Sequence, residues 1–99
     1  MTARVNQDNN YLETIDEKGK RIKRTYKKVT LLGNSSEIVV VQEGNYIEIL
    51  DENLKRIKRF YKKIDDFLGA SGKTFSVQVG NYAETYDENG KRLSRNYSK

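Results

Sequence analysis

The sequence predicts an all-β protein, an antiparallel meander of about nine short strands. The first observation is a sixteen-residue pattern that occurs three times, at residues 11–26, 46–61 and 82–97, with offsets of 35 and then 36 residues. The second is that apolar and polar residues alternate around a tight-turn signal in each copy. Because self-similarity at a fixed period is the signature of repeat architectures, we expect one domain of three β-hairpin repeats, each of about 36 residues. The domain is residues 1–99, and its repeats fall at about residues 3–32, 37–68 and 73–99.

Each copy is read as two strands joined by a two-residue turn. The turn pairs are Lys18-Gly19, Asn53-Leu54 and Asn89-Gly90. Asn-Gly is the strongest hairpin signal, because a type I′ turn needs a positive φ at both central residues. The signal at Asn53-Leu54 is the weakest of the three, since a leucine side chain meets a steric penalty at positive φ.

A two-residue turn also fixes which residues face each other, because a slip of one residue moves every side chain to the other face. The predicted pairs are Glu13–Arg24, Glu48–Arg59, Glu84–Arg95, Tyr11–Tyr26, Tyr46–Tyr61 and Tyr82–Tyr97. Nearer the turn, the same register predicts Ile15–Ile22, Leu50–Ile57 and Tyr86–Leu93. We expect the face with these pairs to form the core. The opposite face, with Asp16 facing Arg21, is expected to be polar and wet.

A further strand precedes each hairpin, at residues 4–7, 38–42 and 74–79. It leads into a second tight turn at Asn9-Asn10, Gly44-Asn45 or Gly80-Asn81. The connectors between repeats, residues 29–37 and 64–73, begin with apolar residues. We therefore expect the basic strand to run on past its partner before the chain turns back at a Gly/Ser cluster. A short helical turn at residues 65–68 is the alternative for the second connector.

So long a sheet has to curl, split or close, because strand twist accumulates across it. We expect a curled, barrel-like sheet, two packed layers or a pseudo-threefold arrangement of three sectors. A propeller completed by several chains is a further use of such repeats. The polar first strand and the cationic last strand, residues 91–99, suit the edges of a sheet, because charge blunts edge pairing.

Composition excludes several kinds of chemistry. The chain has 99 residues, of which 35% are hydrophobic and 33% charged, so any core is thin. The absence of Cys and His removes thiolate and imidazole metal ligands and the usual nucleophile–base pairs. The acidic pairs beside the turns lack the spacing of a calcium loop. We expect no enzymatic activity, no metal and no cofactor. Without a long apolar run or a signal-peptide pattern, we also expect a cytoplasmic protein with no membrane partner.

The glutamate–arginine pairs have two interpretations. Three equivalent buried ion pairs would line a ligand site on a threefold axis. Alternatively, they are structural pairs that fix strand register, which is the interpretation we favour because cross-strand pairing has this effect in any case. The tyrosine pairs likewise either grip a sugar or a base or pack the sheet. We favour packing, and the absence of Trp weakens the interpretation as a sugar site.

The densest basic runs are residues 20–28 and 55–63. Placed on the wet face of a strand, their side chains would track a phosphate backbone while bases stack on Phe60. The candidate nucleic-acid-binding residues are Arg21, Lys23, Lys27, Arg56, Lys58, Phe60 and Lys62. The other interpretation is a solvated charged face, which we favour because Asp16 and Asp51 neutralise Arg21 and Arg56.

These observations favour a non-catalytic β-repeat module for binding or assembly that acts through sheet faces and edges. A homo-oligomer is expected because the core is thin and edge strands are open. The alternative function is binding of nucleic acid or another polyanion by the basic strands. The net charge of +5 permits this function without requiring it.

Overall fold

The computed structural model describes residues 2–97, which form eleven antiparallel strands in three sheets and no helix. The strands are β1 (Arg4–Asp8), β2 (Tyr11–Ile15), β3 (Arg21–Tyr26), β4 (Thr30–Asn34), β5 (Val39–Glu43), β6 (Tyr46–Leu50), β7 (Arg56–Tyr61), β8 (Asp66–Ser71), β9 (Thr74–Val79), β10 (Tyr82–Asp87) and β11 (Arg92–Tyr97). β1 to β3 form the first sheet, β4 to β7 the second and β8 to β11 the third. The all-β prediction is confirmed, with eleven described strands rather than about nine. The described strands do not form one long curled sheet or a closed barrel.

The chain leaves a sheet directly after the basic strand. β3 ends at Tyr26 and β7 at Tyr61. The prediction that the basic strand continues past its partner was wrong, because the connector residues form new strands, β4 and β8, which pair with β5 and β9. Their burial explains the difference: Leu31 packs into the core between the first two sheets, and Phe67 into the core between the last two. The end of the predicted last strand, residues 98–99, lies outside the described residues, and the helical turn considered at residues 65–68 is replaced by β8.

The turns that join β1 to β2, β5 to β6 and β9 to β10 hold two residues each, as predicted. Asp8 faces Tyr11 across the first of them, and the other two have the same spacing. The first turn residues, Asn9, Gly44 and Gly80, have φ values of 55°, 60° and 60°. Mirror-image hairpin turns require this conformation, and Asn and Gly adopt it at the least cost.

The turns before the basic strands are one residue longer than predicted. The backbone amide of Asp16 donates to the carbonyl of Lys20 at 2.8 Å, which leaves three residues in the turn. The Asp16 carboxylate accepts hydrogen bonds from the amides of Lys18 and Lys20, at 2.9 and 2.8 Å. Asp51 and Asp87 accept equivalent bonds. An aspartate that satisfies two turn amides stabilises the wider loop, and for this reason the predicted two-residue turn does not form.

A bulge then restores the predicted register. Ile15 faces Arg21 instead of Ile22, and the pairing shifts by one residue between Thr14 and Ile15. The predicted pairs Ile15–Ile22, Leu50–Ile57 and Tyr86–Leu93 were therefore wrong, and the observed partners are Arg21, Arg56 and Arg92. Beyond the bulge the observed register is the predicted one, with glutamate facing arginine and tyrosine facing tyrosine in all three sheets.

The second sheet lies between the other two and is buried on both faces. The core on one side consists of Leu12, Val39, Val41, Leu50 and Leu54, and that on the other of Ile38, Val40, Ile47, Ile49, Phe75, Val77 and Tyr86. The prediction of a wet second face was wrong for this sheet, because Ile47 and Ile49 have no exposed surface. It was also wrong for the first sheet, where Leu12 and Thr14 are fully buried on the predicted wet face and the face of Glu13, predicted to form the core, is the outer one. A continuous apolar run such as that of residues 39–41 is typical of strands buried on both faces.

The sheets approach one another at their first strands. β4 contacts both β1 and β8, whereas β3, β7 and β11 lie at the far ends of the three sheets. Each of these last strands has one hydrogen-bonded neighbour. All three are basic strands. Three cationic edges therefore remain open on the far side of the sheets from β1, β4 and β8.

Leu54 is predicted to tolerate glycine better than alanine. It adopts a φ of 62° in the turn where the other two sheets have Gly19 and Gly90, and its side chain is buried in the core with Leu12. Leu54→Ala loses this packing and keeps the strain, so we expect a loss of about 2–3 kcal/mol in the free energy of unfolding. Leu54→Gly loses the same packing but relieves roughly 1 kcal/mol of strain.

Urea denaturation of both variants shows which of the two is more stable. In ordinary strands glycine is the more harmful replacement. A Gly variant that is no more stable than the Ala variant would therefore contradict the strain at Leu54.

Gly33 is predicted to reject any side chain. A Cβ atom there would lie 2.5 Å from Cε2 of Phe67, so Gly33→Ala should lower the free energy of unfolding by about 1–3 kcal/mol. Phe67→Leu should recover part of this loss in the double variant, because the smaller side chain makes room. A double-mutant cycle measured by urea denaturation tests the contact, and additive effects would contradict it.

Candidate binding surface

Each sheet carries a pair of tyrosines at the end opposite its aspartate turn. The ring centroids are 5.4 Å apart in Tyr11–Tyr26, 5.5 Å in Tyr46–Tyr61 and 5.8 Å in Tyr82–Tyr97, with interplanar angles of 82°, 65° and 88°. Such edge-to-face contacts are attractive. The tyrosines of the last strands, Tyr26, Tyr61 and Tyr97, are 62%, 59% and 66% exposed. Six of the seven tyrosines of the chain lie in these pairs.

An arginine covers one ring of every pair. The guanidinium carbons of Arg24, Arg59 and Arg95 lie 4.5, 4.4 and 3.7 Å from the ring centroids of Tyr11, Tyr46 and Tyr82. A cation–π contact of this kind stabilises by about 0.5–1 kcal/mol at an exposed site. We call each set of two tyrosines and one arginine a tyrosine–arginine cluster.

A glutamate on the neighbouring strand lies beside every arginine. The closest distances are 3.4 Å for Glu13–Arg24, 3.5 Å for Glu48–Arg59 and 3.3 Å for Glu84–Arg95. Glu48 and Glu84 are 1% and 2% exposed, so they are buried charges that need compensation. Each arginine is thus held between a carboxylate and a tyrosine ring.

Lysines reach from one sheet to the glutamate of the next. Lys27 directly follows β3, and its Nζ lies 2.9 Å from Oε1 of Glu48 in the second sheet. Lys62 directly follows β7, and its Nζ lies 3.2 Å from Oε1 of Glu84 in the third. Among residues 2–97, no hydrogen bond of good geometry reaches Oε1 of Glu48, so Lys27 compensates it through its charge. These contacts join the three clusters into what we call the tyrosine–arginine row.

Sequence reasoning missed this role of the lysines, because it placed Lys27 and Lys62 on a wet face. A signal was present in the pattern. The first two copies have lysine directly after the last tyrosine, and the third has Ser98, which lies outside the described residues. Three sheets have two junctions, so lysine occurs at this position where a following sheet offers a glutamate.

Glu84 lies in the densest network of the three glutamates. The Tyr86 hydroxyl donates a hydrogen bond to it, and Nη1 of Arg92 lies 3.7 Å from its Oε2. Burial raises the pKa of Glu84, but the hydrogen bonds from Tyr86 and Lys62 and the charges of Lys62 and Arg92 outweigh it, so the pKa lies below its ordinary value. Burial lowers the pKa of Lys62, but its contacts with Tyr86 and Glu84 outweigh that effect and raise the pKa. Burial and the bond to Glu84 raise the pKa of Tyr86.

The candidate nucleic-acid-binding residues have different surroundings. Arg21 pairs with Glu13 at 3.3 Å, and the two lysines after β3 and β7 face the buried glutamates. Phe60 is half-buried and packs against Phe75 and Tyr86, with ring centroids 6.5 and 5.6 Å apart. The remaining three, Lys23, Arg56 and Lys58, are exposed.

Two lysines absent from that set lie beside the row. Lys28 and Lys63 are exposed and follow Lys27 and Lys62 in the chain. Among the described residues, neither lies within ion-pair distance of an acid. Each is the second residue of a Lys-Lys pair, and nothing in the pattern distinguishes its role from that of the first.

Other features of the described residues offer less chemistry. A shallow groove of about 460 Å³ on the outer face of the third sheet is lined by Leu68, Gly69, Ala70, Ser71, Thr74, Phe75, Ser76 and Ala83, which include no ionisable side chain. Within residues 2–97, no group of three or more acidic side chains is arranged to hold a metal ion. The same residues contain no helix that is long and apolar enough to cross a membrane.

Neither a protein-family model nor a curated protein matches this chain in sequence.

Lys62→Met is predicted to destabilise the protein and to make its free energy of unfolding less dependent on pH in the acidic range. Because the folded-state pKa of Glu84 is depressed, its ionisation stabilises the fold above the unfolded-state pKa, and this stability is lost as the pH falls through the folded-state pKa. Without Lys62 the folded-state pKa of Glu84 rises. We expect the free energy of unfolding to fall by about 1–3 kcal/mol at pH 7 and by less at pH 3.

Urea denaturation between pH 3 and pH 7 measures this difference. Lys63→Met removes the same charge from an exposed neighbour, and its effect should stay within about 0.5 kcal/mol at every pH. If the free energy of unfolding depended on pH in the same way in both variants, the buried ion pair between Lys62 and Glu84 would be contradicted.

Proposed function

We propose that this protein is a non-catalytic binding module that holds its ligand on the tyrosine–arginine row. The observation that carries this proposal is that the same partly exposed aromatic and cationic cluster occurs on all three sheets. A feature needed only for sheet packing would be buried, whereas the tyrosines of the last strands are more than half exposed. Exposed aromatic and arginine side chains are the residue types that dominate binding energy at interfaces.

The arginines of the row are preorganised for binding. Each lies between a tyrosine ring and a glutamate, and the side chains of Arg24, Arg59 and Arg95 remain 39%, 34% and 46% exposed. Their position is thus restrained while part of each side chain still meets solvent. A buried ion pair is weak evidence of net stability, so the orientation of a surface arginine is a second role for Glu48 and Glu84.

The protonation states around Glu84 support a role in binding rather than catalysis. A glutamate with a depressed pKa is a weak general base, and a tyrosine with a raised pKa is a weak general acid at neutral pH. Among the described residues, no cysteine or histidine is available to act as a nucleophile or base beside them. The network therefore holds charges in place.

We infer further that the three sheets are copies of one repeat, arranged as sectors around their first strands. The equivalent tyrosine–arginine clusters and the contacts of β4 with β1 and β8 support this arrangement. It resembles part of a propeller, an architecture in which four-stranded sheets surround a central axis.

The outer face of the first sheet bears on the homo-oligomer expected from the sequence. Arg4 and Asn6 face Ile15 and Glu13 there, at the positions that Val39 and Val41 occupy in the second sheet. Two polar side chains thus replace two buried valines. This replacement opposes the addition of another sheet, because a buried arginine would need new partners.

The outer face of the third sheet shows the same trend. Ser76 and Ala83 stand at the positions of Val40 and Ile47, and the Ser76 hydroxyl lies 2.8 Å from that of Thr85. Polar terminal faces keep stacked repeats soluble. These features favour a monomer, and the homo-oligomer stays a prediction that sedimentation can test.

Ligand binding to the row is predicted to change the intrinsic tyrosine fluorescence, because six of the seven tyrosines lie in the clusters and the chain has no tryptophan. We would titrate the protein with heparin, polyphosphate, a twelve-nucleotide oligo-dT and maltohexaose. At least one should give a saturable change. The variant Tyr26→Leu/Tyr61→Leu should bind that ligand at least about tenfold more weakly, since two exposed rings are lost.

Leu68→Ser is the matched control, because Leu68 is 48% exposed but lies on the outer face of the third sheet. It should bind like the original protein, and circular dichroism should show that all variants remain folded. The proposal would be overturned by no response to any of the four ligands, or by unchanged affinity of the double tyrosine variant.

A further inference from the structure

The row combines the two chemical groups that single-stranded nucleic acid requires, which are flat aromatic faces and cations at regular intervals. We propose that its ligand is a single-stranded nucleic acid, with bases stacked on the tyrosines of the last strands and phosphates held by neighbouring cations. This inference rests on the proposed function, because it names the ligand of the same surface.

The aromatic faces are available on the last strand of each sheet. Tyr26, Tyr61 and Tyr97 are between 59% and 66% exposed, and each meets its partner ring edge to face rather than in a stack. The arginines lie over the partner rings, Tyr11, Tyr46 and Tyr82. The rings of the last strands therefore have no arginine above them, and a base can stack on them whatever its identity.

The two lysines that follow β3, and the two that follow β7, have different roles. Lys27 and Lys62 turn their ammonium groups to the buried glutamates of the following sheet. Lys28 and Lys63 are exposed and lie next to them in the chain. Because they follow the clusters directly and neutralise no acid among the described residues, they are positioned to contact phosphates.

The spacing of the clusters suits an extended strand. Packed sheets lie about 10 Å apart, and these sheets meet at their first strands, so the three clusters near the last strands span at least roughly 20 Å. This span is within the reach of a short oligonucleotide, since other single-strand binding sites take about 4–16 nucleotides. A duplex presents its bases edge-on in the grooves, where they cannot stack on the tyrosines.

This site differs from the one that the basic runs suggested. There the bases were expected on Phe60, but that ring packs against Phe75 and Tyr86 in the core between the second and third sheets. The proposed site uses the exposed tyrosines at the end of the same strands. The two sites make opposite predictions for variants of Tyr61 and of Lys58.

Fluorescence anisotropy of a labelled twelve-nucleotide oligo-dT tests the proposal. At about 50 mM salt we expect saturable binding to the intact protein, weakened by salt as counterions are released. Tyr61→Leu should weaken it about tenfold and Tyr61→Phe by less than about threefold, because the ring rather than the hydroxyl stacks on the base. Lys28→Gln/Lys63→Gln should reduce the slope of log affinity against log salt by about 1.4, or about 0.7 for each lost phosphate contact.

The matched control is Lys20→Gln/Lys55→Gln, which removes the same charge from exposed lysines at the opposite ends of the sheets. Its salt slope should fall by less than half as much as that of the Lys28/Lys63 variant. Equal slopes for the two double variants would show that overall charge alone attracts the oligonucleotide, and this result would overturn the proposal. The proposal would also be overturned if Lys58→Gln weakened oligonucleotide binding while Tyr61→Leu left it unchanged.

Two further ligands separate this inference from the proposed function. If heparin or polyphosphate binds the row as tightly as oligo-dT, the row is a binding site for anions and the nucleic-acid assignment fails. If a duplex of the same length binds as tightly as the single strand, the proposed stacking of bases on the tyrosines is refuted. If the tyrosine variants weaken the binding of maltohexaose alone, the nucleic-acid assignment fails and the proposed function stands. If they weaken the binding of none of these ligands, both fail.

Discussion

The burial of two glutamates between the sheets is the constraint on which the structure depends. Glu48 and Glu84 are almost fully enclosed, and an ionised carboxylate removed from water must be met by cations or hydrogen bonds. Each receives an arginine from its own sheet and a lysine from the sheet before it. One requirement thus links the register within a sheet, the order of the sheets and the arginines on the surface. Apolar packing alone would not specify all three.

The middle sheet explains how a chain with 35% hydrophobic residues forms two cores. Its strands contribute apolar side chains on both faces, one towards Leu12 and the other towards Phe75. The outer sheets then need one apolar face each. This arrangement concentrates β-branched residues in residues 38–49, and the outer faces of the stack can remain polar.

The extent to which the fold follows from the sequence differs between local and long-range features. Tyr46 facing Tyr61 and Glu48 facing Arg59 could be predicted, because strand pairing has a period of two and complementary residues occur at matched distances from the turn. The turn itself could not, since the Asp51 side chain competes for the backbone amides and widens the loop. A bulge compensates for the extra residue, which is why a wrong turn still led to the observed pairs beyond it.

The break between sheets could not be predicted from the sequence, and the reason is physical. Local pattern shows that a strand is apolar on one side, but it does not show whether the next strand pairs with it or packs across from it. Leu31 and Phe67 have the same alternation in either case. The candidate surface depends on this choice: only when sheets face each other do Lys27 and Lys62 reach a glutamate.

Stability and the proposed binding are therefore assigned to different residues of one dipeptide. Successive residues of an extended chain point to opposite sides, so where Lys62 turns inwards to Glu84, Lys63 turns to solvent. Replacement of the first lysine uncovers a buried charge, and replacement of the second alters only the surface. The tyrosine before them belongs to the surface as well, because Tyr61 is more than half exposed. The exposed residues of the row can thus vary while the buried charges that hold the sheets together stay the same.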